Sequence, residues 1–284
     1  MKSRNLKNVW LVLAMVGSTS LAQAQLNMPQ PSPAAKVSQT VGLLEVSVAY
    51  SRPGVKGRKI FGDVVPFGSL WRTGANSATK VTFTDEVMIN NVKVPKGDYS
   101  LFTIPGATEW KVSLNKNVNA GTANYKAEED VVSMMVKSQM LPTSMESFTI
   151  EFSNVTTNST SMDIKWEKTM ISFPITTDVD IKVMAQIEKA LDPKKDAGLF
   201  YNIATYYYDN NRNMDKAYEL ITKSVDMQPQ FWTMHLKAKI EAKMKKFNEA
   251  IGTAQKSMDM AKTASNMDYV RLNEKLIDDC KKMK

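Results

Sequence analysis

The hydrophobic period of the sequence changes once, near Thr177, and this change constrains the fold more than any other feature. From Lys36 to about Ile175, apolar and polar residues alternate with a period of two. Successive side chains of a strand point to opposite faces, so this pattern predicts strands with one buried face. Beyond Thr177 the period becomes that of amphipathic helices. The sequence therefore predicts a β domain over 36–176 and an α domain over 177–284.

The β half consists of short alternating segments separated by turn residues. Asn90-Asn91 and Lys96-Gly97-Asp98 are typical of such turns. The clearest alternation lies at 46–50, 81–83, 110–114, 148–152, 162–166 and 171–175. Many short strands with frequent turns predict an antiparallel β-sandwich or a barrel, and the pattern leaves both open.

The helical half contains a sequence that recurs. Asp215-Lys216-Ala217 is similar to Asn248-Glu249-Ala250, at a spacing close to the 34-residue period of the tetratricopeptide repeat. Asp196 and Asn266 are positioned as helix N-caps. Two repeats and a final helix are fewer than a free-standing solenoid needs. We therefore expect a short tetratricopeptide-like region that packs against the β domain or a partner.

The N-terminus has the pattern of a secretory signal peptide. Three basic residues precede an apolar run from Val9 to Val16, and Ala22-Gln23-Ala24 fits a cleavage site. The run is too short for a membrane anchor. We expect 1–24 to be removed on export, and 25–35 to form an extended leader rich in proline and polar residues. This predicts a periplasmic or extracellular protein with no transmembrane segment after cleavage.

Residue counts narrow the possible chemistry. Cys280 is the only cysteine and His235 the only histidine, which excludes an intramolecular disulfide and a histidine-cluster metal site. We interpret His235 as a partly buried residue of a predicted helix rather than as the base of a Ser-His-Asp triad. The sequence also lacks nucleotide-binding and nucleophile-elbow motifs, and we predict no cofactor. The net charge of +8 comes from interspersed charges, so no nucleic-acid partner is predicted.

Basic and aromatic residues are concentrated between Tyr50 and Asn76, among glycine and proline residues. Arginine binds carboxylate and phosphate groups bidentately, and turns built on glycine expose backbone N–H groups that favour anions. We predict a pocket for a small anionic or sugar ligand. The candidate ligand-binding residues are Arg52, Lys56, Arg58, Trp71, Arg72 and Asn76.

Purely structural roles are open for the same residues. The arginines could instead pair with Asp63, Glu86 or loop carbonyl groups and hold this corner of the domain together. Trp110 and Trp166 lie within alternating strands and fit a core better than a sugar-stacking surface, whereas Trp71 fits either. Asp63 and Glu109 are candidates for a glycosidase pair, but their spacing does not support that role.

Several motifs of the β half resemble those of an exported bacterial family known as domain of unknown function 2911. The matching segments are Ser51-Arg52-Pro53, Lys56-Gly57-Arg58-Lys59, Trp71-Arg72-Thr73-Gly74-Ala75-Asn76, Pro95-Lys96-Gly97-Asp98-Tyr99-Ser100-Leu101 and Trp166-Glu167. The resemblance covers about 36–176, and similar proteins often carry a helical tail. It implies an exported β protein without implying an activity.

Three functions remain open at this point. The first is an exported envelope protein for binding or scaffolding, in which the β domain holds a small ligand and the helical repeat binds a protein partner. The second is a hydrolase acting on polysaccharide. The third is a structural assembly module without a pocket. A cleft with two facing carboxylates would favour the hydrolase, and a basic or aromatic pocket would favour binding.

Overall fold

The computed structural model describes residues 28–191 and 196–284. The predicted signal peptide and the first three residues of the leader lie outside the described residues. The chain divides into two compact units, one ending at Thr177 and the other spanning Asp178–Lys284. We refer to them as the β unit and the helical unit.

The β unit is a single antiparallel sheet in the order β1-β2-β3-β6-β7-β8-β9-β4-β5. The strands are β1 (Ala34–Val41), β2 (Leu44–Ser51), β3 (Thr79–Phe83), β4 (Val87–Ile89), β5 (Val92–Val94), β6 (Gly97–Pro105), β7 (Glu109–Asn115), β8 (Asp130–Ser153) and β9 (Ser159–Thr176). The sheet is not closed, so the antiparallel β prediction is confirmed and the barrel alternative is wrong. The first strand begins at Ala34, so the last two leader residues are part of the sheet.

The long strand β8 changes its partner halfway along. Asp130–Lys137 pairs with β7, and the remainder from Ser138 pairs with β9. The segment that follows β2 covers the edge of β8 that this change leaves free. The N–H of Phe148 donates to Pro53 O at 2.9 Å, and the N–H of Val55 donates to Glu146 O at 2.8 Å. The sheet thus folds back on itself, and the segment after β2 pairs with β8.

An aromatic cluster fills the space enclosed by the folded sheet. Trp71 packs against Phe61, Trp110, Phe148 and Trp166, with ring centroids 5.2 to 6.1 Å apart. Edge-to-face and offset contacts of this kind stabilise a core beyond the area they bury. The cluster therefore fixes the loop that carries Trp71 to the interior of the sheet.

The helical unit contains six helices within the described residues. They are α1 (Val179–Leu191), α2 (Ala197–Asp209), α3 (Met214–Met227), α4 (Phe231–Lys243), α5 (Phe247–Thr263) and α6 (Met267–Met283). The predicted N-caps are confirmed: Asp196 accepts from Leu199 N at 2.9 Å, and Asn266 accepts from Tyr269 N at 3.2 Å. None of these helices is both long and apolar enough to cross a membrane.

The helical unit packs through small residues. Ala217 in the first turn of α3 and Ala250 in the first turn of α5 are fully buried. Such alanines let neighbouring helices approach closely, as the predicted repeat requires. The helical region is confirmed, and its tetratricopeptide-like character stays a prediction.

Candidate functional site

The loop from Trp71 to Asn76 has an unusual backbone. Thr73 is β-branched and completely buried, yet its φ is 53°, and Asn76 has a φ of 61°. A β-branched residue in the left-handed region is a genuine outlier, and such strain persists only where the surroundings determine it. Backbone strain of this kind concentrates at ligand sites, which makes the loop a candidate for one.

Neighbouring strands hold the loop in this conformation. Trp71 exchanges two backbone hydrogen bonds with Thr103 of β6, at 2.7 and 2.9 Å. The hydroxyl of Thr79 donates to Thr73 O at 2.5 Å, and the indole N–H of Trp71 donates to Gly74 O at 3.0 Å. A Cβ at Gly74, whose φ is 150°, would lie 3.2 Å from Ser51 O. The loop is thus rigidly placed by its side chains and by close backbone approach.

A cavity of about 410 Å³ opens beside this loop. Its lining includes four of the six predicted ligand-binding residues together with one tryptophan that the prediction assigned to the core. These residues are Arg58, Trp71, Arg72, Asn76 and Trp166. Arg58 comes from the loop after β2 and Trp166 from β9, so distant segments of the chain meet here.

The two arginines of the cavity have no acidic partner in the described part of the chain. Arg58 donates from Nε to Val55 O at 3.0 Å and from Nη2 to Gly54 O at 2.7 Å. Arg72 donates from Nη1 to Asn76 O at 2.6 Å. Within 28–191 and 196–284, neither guanidinium group forms an ion pair with a carboxylate, and none of the lining residues is acidic. Both arginines are exposed and retain N–H donors for a ligand.

Arg52 and Lys56 do not line this cavity. Arg52 donates from Nε to Phe148 O at 3.0 Å and from Nη2 to Thr149 Oγ1 at 2.8 Å, so it fastens the edge of β8. Lys56, with a φ of 50°, is held through its backbone N–H by Glu146 Oε1 at 2.9 Å. The structural role that the sequence left open thus describes Arg52, with backbone and hydroxyl oxygens as its partners.

A second cavity of about 260 Å³ shares Arg72 and Asn76 with the first. Its far wall is formed by Asn119, Ala120 and Gly121, and the next residue, Thr122, lines the first cavity. Arg72 therefore lies between two adjoining recesses. The loop after β7, which no sequence pattern associates with the site, closes one side of both.

The predicted leader also contributes to the site. Asn76 donates from Nδ2 to Ser32 O at 3.3 Å and to Ser51 Oγ at 3.2 Å, and Ser32 lines the cavity. The N–H of Arg52 donates to Pro33 O at 2.9 Å. Nothing in the composition of 25–35 predicts these contacts, because the leader makes them through the backbone carbonyl groups of Ser32 and Pro33.

The tryptophans of the cavity are largely covered by protein. Trp71 is 9% exposed and Trp166 is 2% exposed, and the two rings stack on each other at 5.9 Å with an interplanar angle of 17°. The indole N–H of Trp166 has no hydrogen-bond partner among the described residues. Buried indole N–H groups normally find an acceptor, so this one is an unsatisfied donor of a residue that lines the cavity.

The candidate glycosidase pair is not part of the site. Asp63 and Glu109 are both exposed, and neither lines the cavity of Arg58 and Arg72. Across the described part of the chain, no group of three or more histidine, cysteine or acidic residues is arranged to hold a metal ion.

Fold and cavity define an antiparallel β protein with a basic pocket at a strained loop, joined to a helical region. The chain belongs to the family described as "Protein of unknown function (DUF2911)", whose model matches residues 32–175. The match covers the β unit, including both arginines of the cavity. No curated protein and no solved structure shows significant similarity to the chain.

Proposed function

We propose that the β unit is a binding domain for a small anion, such as a carboxylate or phosphate compound. One observation carries this proposal: Arg58 and Arg72 line the same cavity, and neither guanidinium group has a carboxylate partner among the described residues. Guanidinium groups bind planar carboxylates and phosphates through paired N–H donors. The free donors of both arginines therefore favour an anionic group.

The ring faces of Trp71 and Trp166 are covered by protein, so the cavity suits an anion better than a neutral sugar. Stacking on a sugar needs an open ring face, but Trp71 has four aromatic neighbours and Trp166 is almost fully buried. A sugar that carries a carboxylate or phosphate group satisfies the same requirements.

A thermal-shift screen of the full chain tests the proposal. The set contains small mono- and dicarboxylates, phosphate esters, acidic sugars and their neutral counterparts, because a ligand that binds only the native state raises the unfolding temperature. We expect stabilisation by one or more anions and none by neutral sugars. The Arg58→Gln and Arg72→Gln variants should lose this effect.

Lys59→Gln is the matched control, because Lys59 is exposed in the same segment without lining the cavity. It removes the same charge and should keep the ligand effect. Equal losses in all three variants would mean that net charge alone is responsible. A neutral sugar that binds equally well to the wild type and the arginine variants would contradict the proposal.

We further propose that the protein acts outside the cytoplasm, after removal of 1–24. The support is the order of basic residues, apolar run and Ala22-Gln23-Ala24 at the N-terminus. N-terminal sequencing of the protein from the envelope fraction should begin at Gln25. A chain that still begins at Met1 in that fraction would contradict this assignment.

A further inference from the structure

The helical unit carries a group of lysines that the β-unit site does not involve. Lys237, Lys239, Lys243 and Lys246 lie on α4 and the turn that follows it. Among the described residues, none of the four forms an ion pair. By contrast, Lys216 and Lys223 on α3 both pair with Glu219. Other lysines of the helical unit, such as Lys256, also form no ion pair among the described residues, so the group is distinguished by its contacts with tyrosine rings.

Two tyrosine rings hold the ammonium groups of these lysines. Lys239 Nζ and Lys243 Nζ lie 4.6 and 4.7 Å from the centroid of the Tyr208 ring. Lys237 Nζ and Lys246 Nζ lie 5.5 and 4.4 Å from the ring of Tyr218. Cation–π contacts of this kind are attractive, but they bring pairs of like charges together on one ring.

Nearby acids form no ion pair with the group among the described residues. Glu241 on the same helix is buried, and burial raises the pKa of its carboxyl group, although the charges of Lys237 and Lys246 act in the opposite direction. Asp209, next to Tyr208 in the chain, is exposed but makes no ion pair with Lys239 or Lys243. Lys243 donates a hydrogen bond to Asn211 Oδ1, which is a neutral acceptor. The negative end of the α4 dipole favours a positive charge at Lys243, but it does not stabilise the charge of Lys237 in the middle of the helix.

We propose that this lysine–tyrosine surface, defined by Lys237, Lys239, Lys243, Lys246, Tyr208 and Tyr218, binds an acidic segment of a partner protein. Four positive charges that form no ion pair among the described residues are complementary to a run of aspartate and glutamate residues. The tyrosine rings restrict the lysines before binding, which lowers the entropy lost when a partner docks. The proposal is independent of the ligand site in the β unit.

The apolar residues around the lysines favour a protein over a membrane surface. A membrane-binding helix places exposed apolar side chains beside its basic residues. Here Leu236, Ala238 and Ile240 are buried in the helical unit, and Met244 is half-buried. No large apolar side chain between Lys237 and Lys246 is therefore available to insert into lipid.

Fluorescence anisotropy with a labelled oligoglutamate peptide of about ten residues tests this proposal on the full chain. We expect saturable binding that Lys239→Gln/Lys243→Gln weakens by about tenfold at low salt, with the difference shrinking as salt is added. Lys256→Gln/Lys262→Gln is the matched control, because both residues are exposed on α5 and the same charge is removed. This control should change the affinity less than about twofold.

Several outcomes would overturn the proposal. An equal loss of peptide affinity in both double variants would mean that binding depends only on the net charge of the protein. Tighter binding of anionic vesicles or of duplex DNA than of the peptide, with the same dependence on Lys239 and Lys243, would assign the surface to a different partner. Self-association of the wild type that the Lys239→Gln/Lys243→Gln variant loses would identify the partner as a second copy. Absence of peptide binding at low salt would also contradict it.

Discussion

The hydroxyl group of Tyr50 makes two hydrogen bonds with the backbone of Ile150. It accepts from Ile150 N at 3.1 Å and donates to Ile150 O at 3.2 Å. A side chain from β2 thereby satisfies the N–H and C=O groups that β8 would otherwise leave unpaired in the interior. Buried polar groups without partners are costly, so this contact supports the folding of the sheet onto itself.

Tyr50→Phe should destabilise the β unit without changing its shape. The substitution removes both hydrogen bonds to Ile150, which is 2% exposed, and should lower the free energy of unfolding by about 1–3 kcal/mol. Urea denaturation followed by tryptophan fluorescence measures this change. Tyr99→Phe is the comparison, because its hydroxyl makes a single bond to the exposed Pro95 and should cost less. A larger loss for Tyr99→Phe would contradict the role given to Tyr50.

We expect Arg52 to stabilise the fold and Arg72 to bind the ligand. Arg52→Ala removes donors from Phe148 O and Thr149 Oγ1, so we expect a loss of about 1–3 kcal/mol in unfolding free energy. Arg72→Ala removes an exposed side chain and should change stability by less than about 0.5 kcal/mol. Parallel urea titrations of the two variants make the comparison. Equal destabilisation would show that Arg72 is structural too.

Ala217→Trp and Ala250→Trp should both destabilise the helical unit. Both positions are fully buried at the start of a helix, and overpacking such a contact costs about 1–3 kcal/mol. Far-ultraviolet circular dichroism during thermal unfolding reports the loss of helix. Gln255→Trp, at an exposed position of α5, is the control and should be nearly neutral. Unchanged unfolding of both alanine variants would contradict the close helix packing.

The stability of the helical unit should depend on the ionisation of Glu241. Burial raises the pKa of its carboxyl group above the ordinary 4.5, so the folded state favours the neutral form. The stability from this preference is fully present below the unfolded-state pKa and is lost as the pH rises through the folded-state pKa. Glu241→Gln stays neutral at every pH. The free energy of unfolding of this variant, relative to that of the wild type, should therefore increase as the pH rises.

Urea unfolding of Glu241→Gln and of the wild type at about pH 5 and pH 8 measures this difference. Glu274→Gln on α6 is the control, because it makes the same substitution at an exposed position of the helical unit. A difference between Glu241→Gln and the wild type that stays constant with pH would show that the Glu241 carboxylate is not disfavoured by burial.

The hydrophobic periodicity predicted the β unit and the helical unit, because a strand and a helix with one buried face each have their own period of apolar residues. The alternation at Val46 and Val48 corresponds to residues that are fully buried in β2, and the predicted caps Asp196 and Asn266 are found at their helices. The partner change of β8 was not predictable in the same way. The partner change depends on which strands pair with β8 on either side of Ser138. These partners are distant in the sequence, and their identity does not alter the local alternation of apolar and polar residues.

The candidate site was predictable in its residue types and only partly in its geometry. Glycine and proline around Arg58 and Arg72 marked loops, and loops carry exposed charges. The sequence could not distinguish Arg52, because its partners are the carbonyl of Phe148 and the hydroxyl of Thr149, almost a hundred residues away. Ser32 was missed because it acts through its backbone, and Trp166 because alternation placed it in the core.

The central claim is that Arg58 and Arg72 bind an anion in the cavity lined by Trp71 and Trp166, and indole N–H resonances test it most directly. An anion identified by the thermal-shift screen is titrated into ¹⁵N-labelled protein. We predict saturable shifts of the Trp71 and Trp166 indole signals, unmoved signals from Trp110 and Trp232, and no shifts in Arg58→Gln/Arg72→Gln. Shifts confined to Trp232, or shifts of Trp71 and Trp166 that persist in the double variant, would contradict the claim.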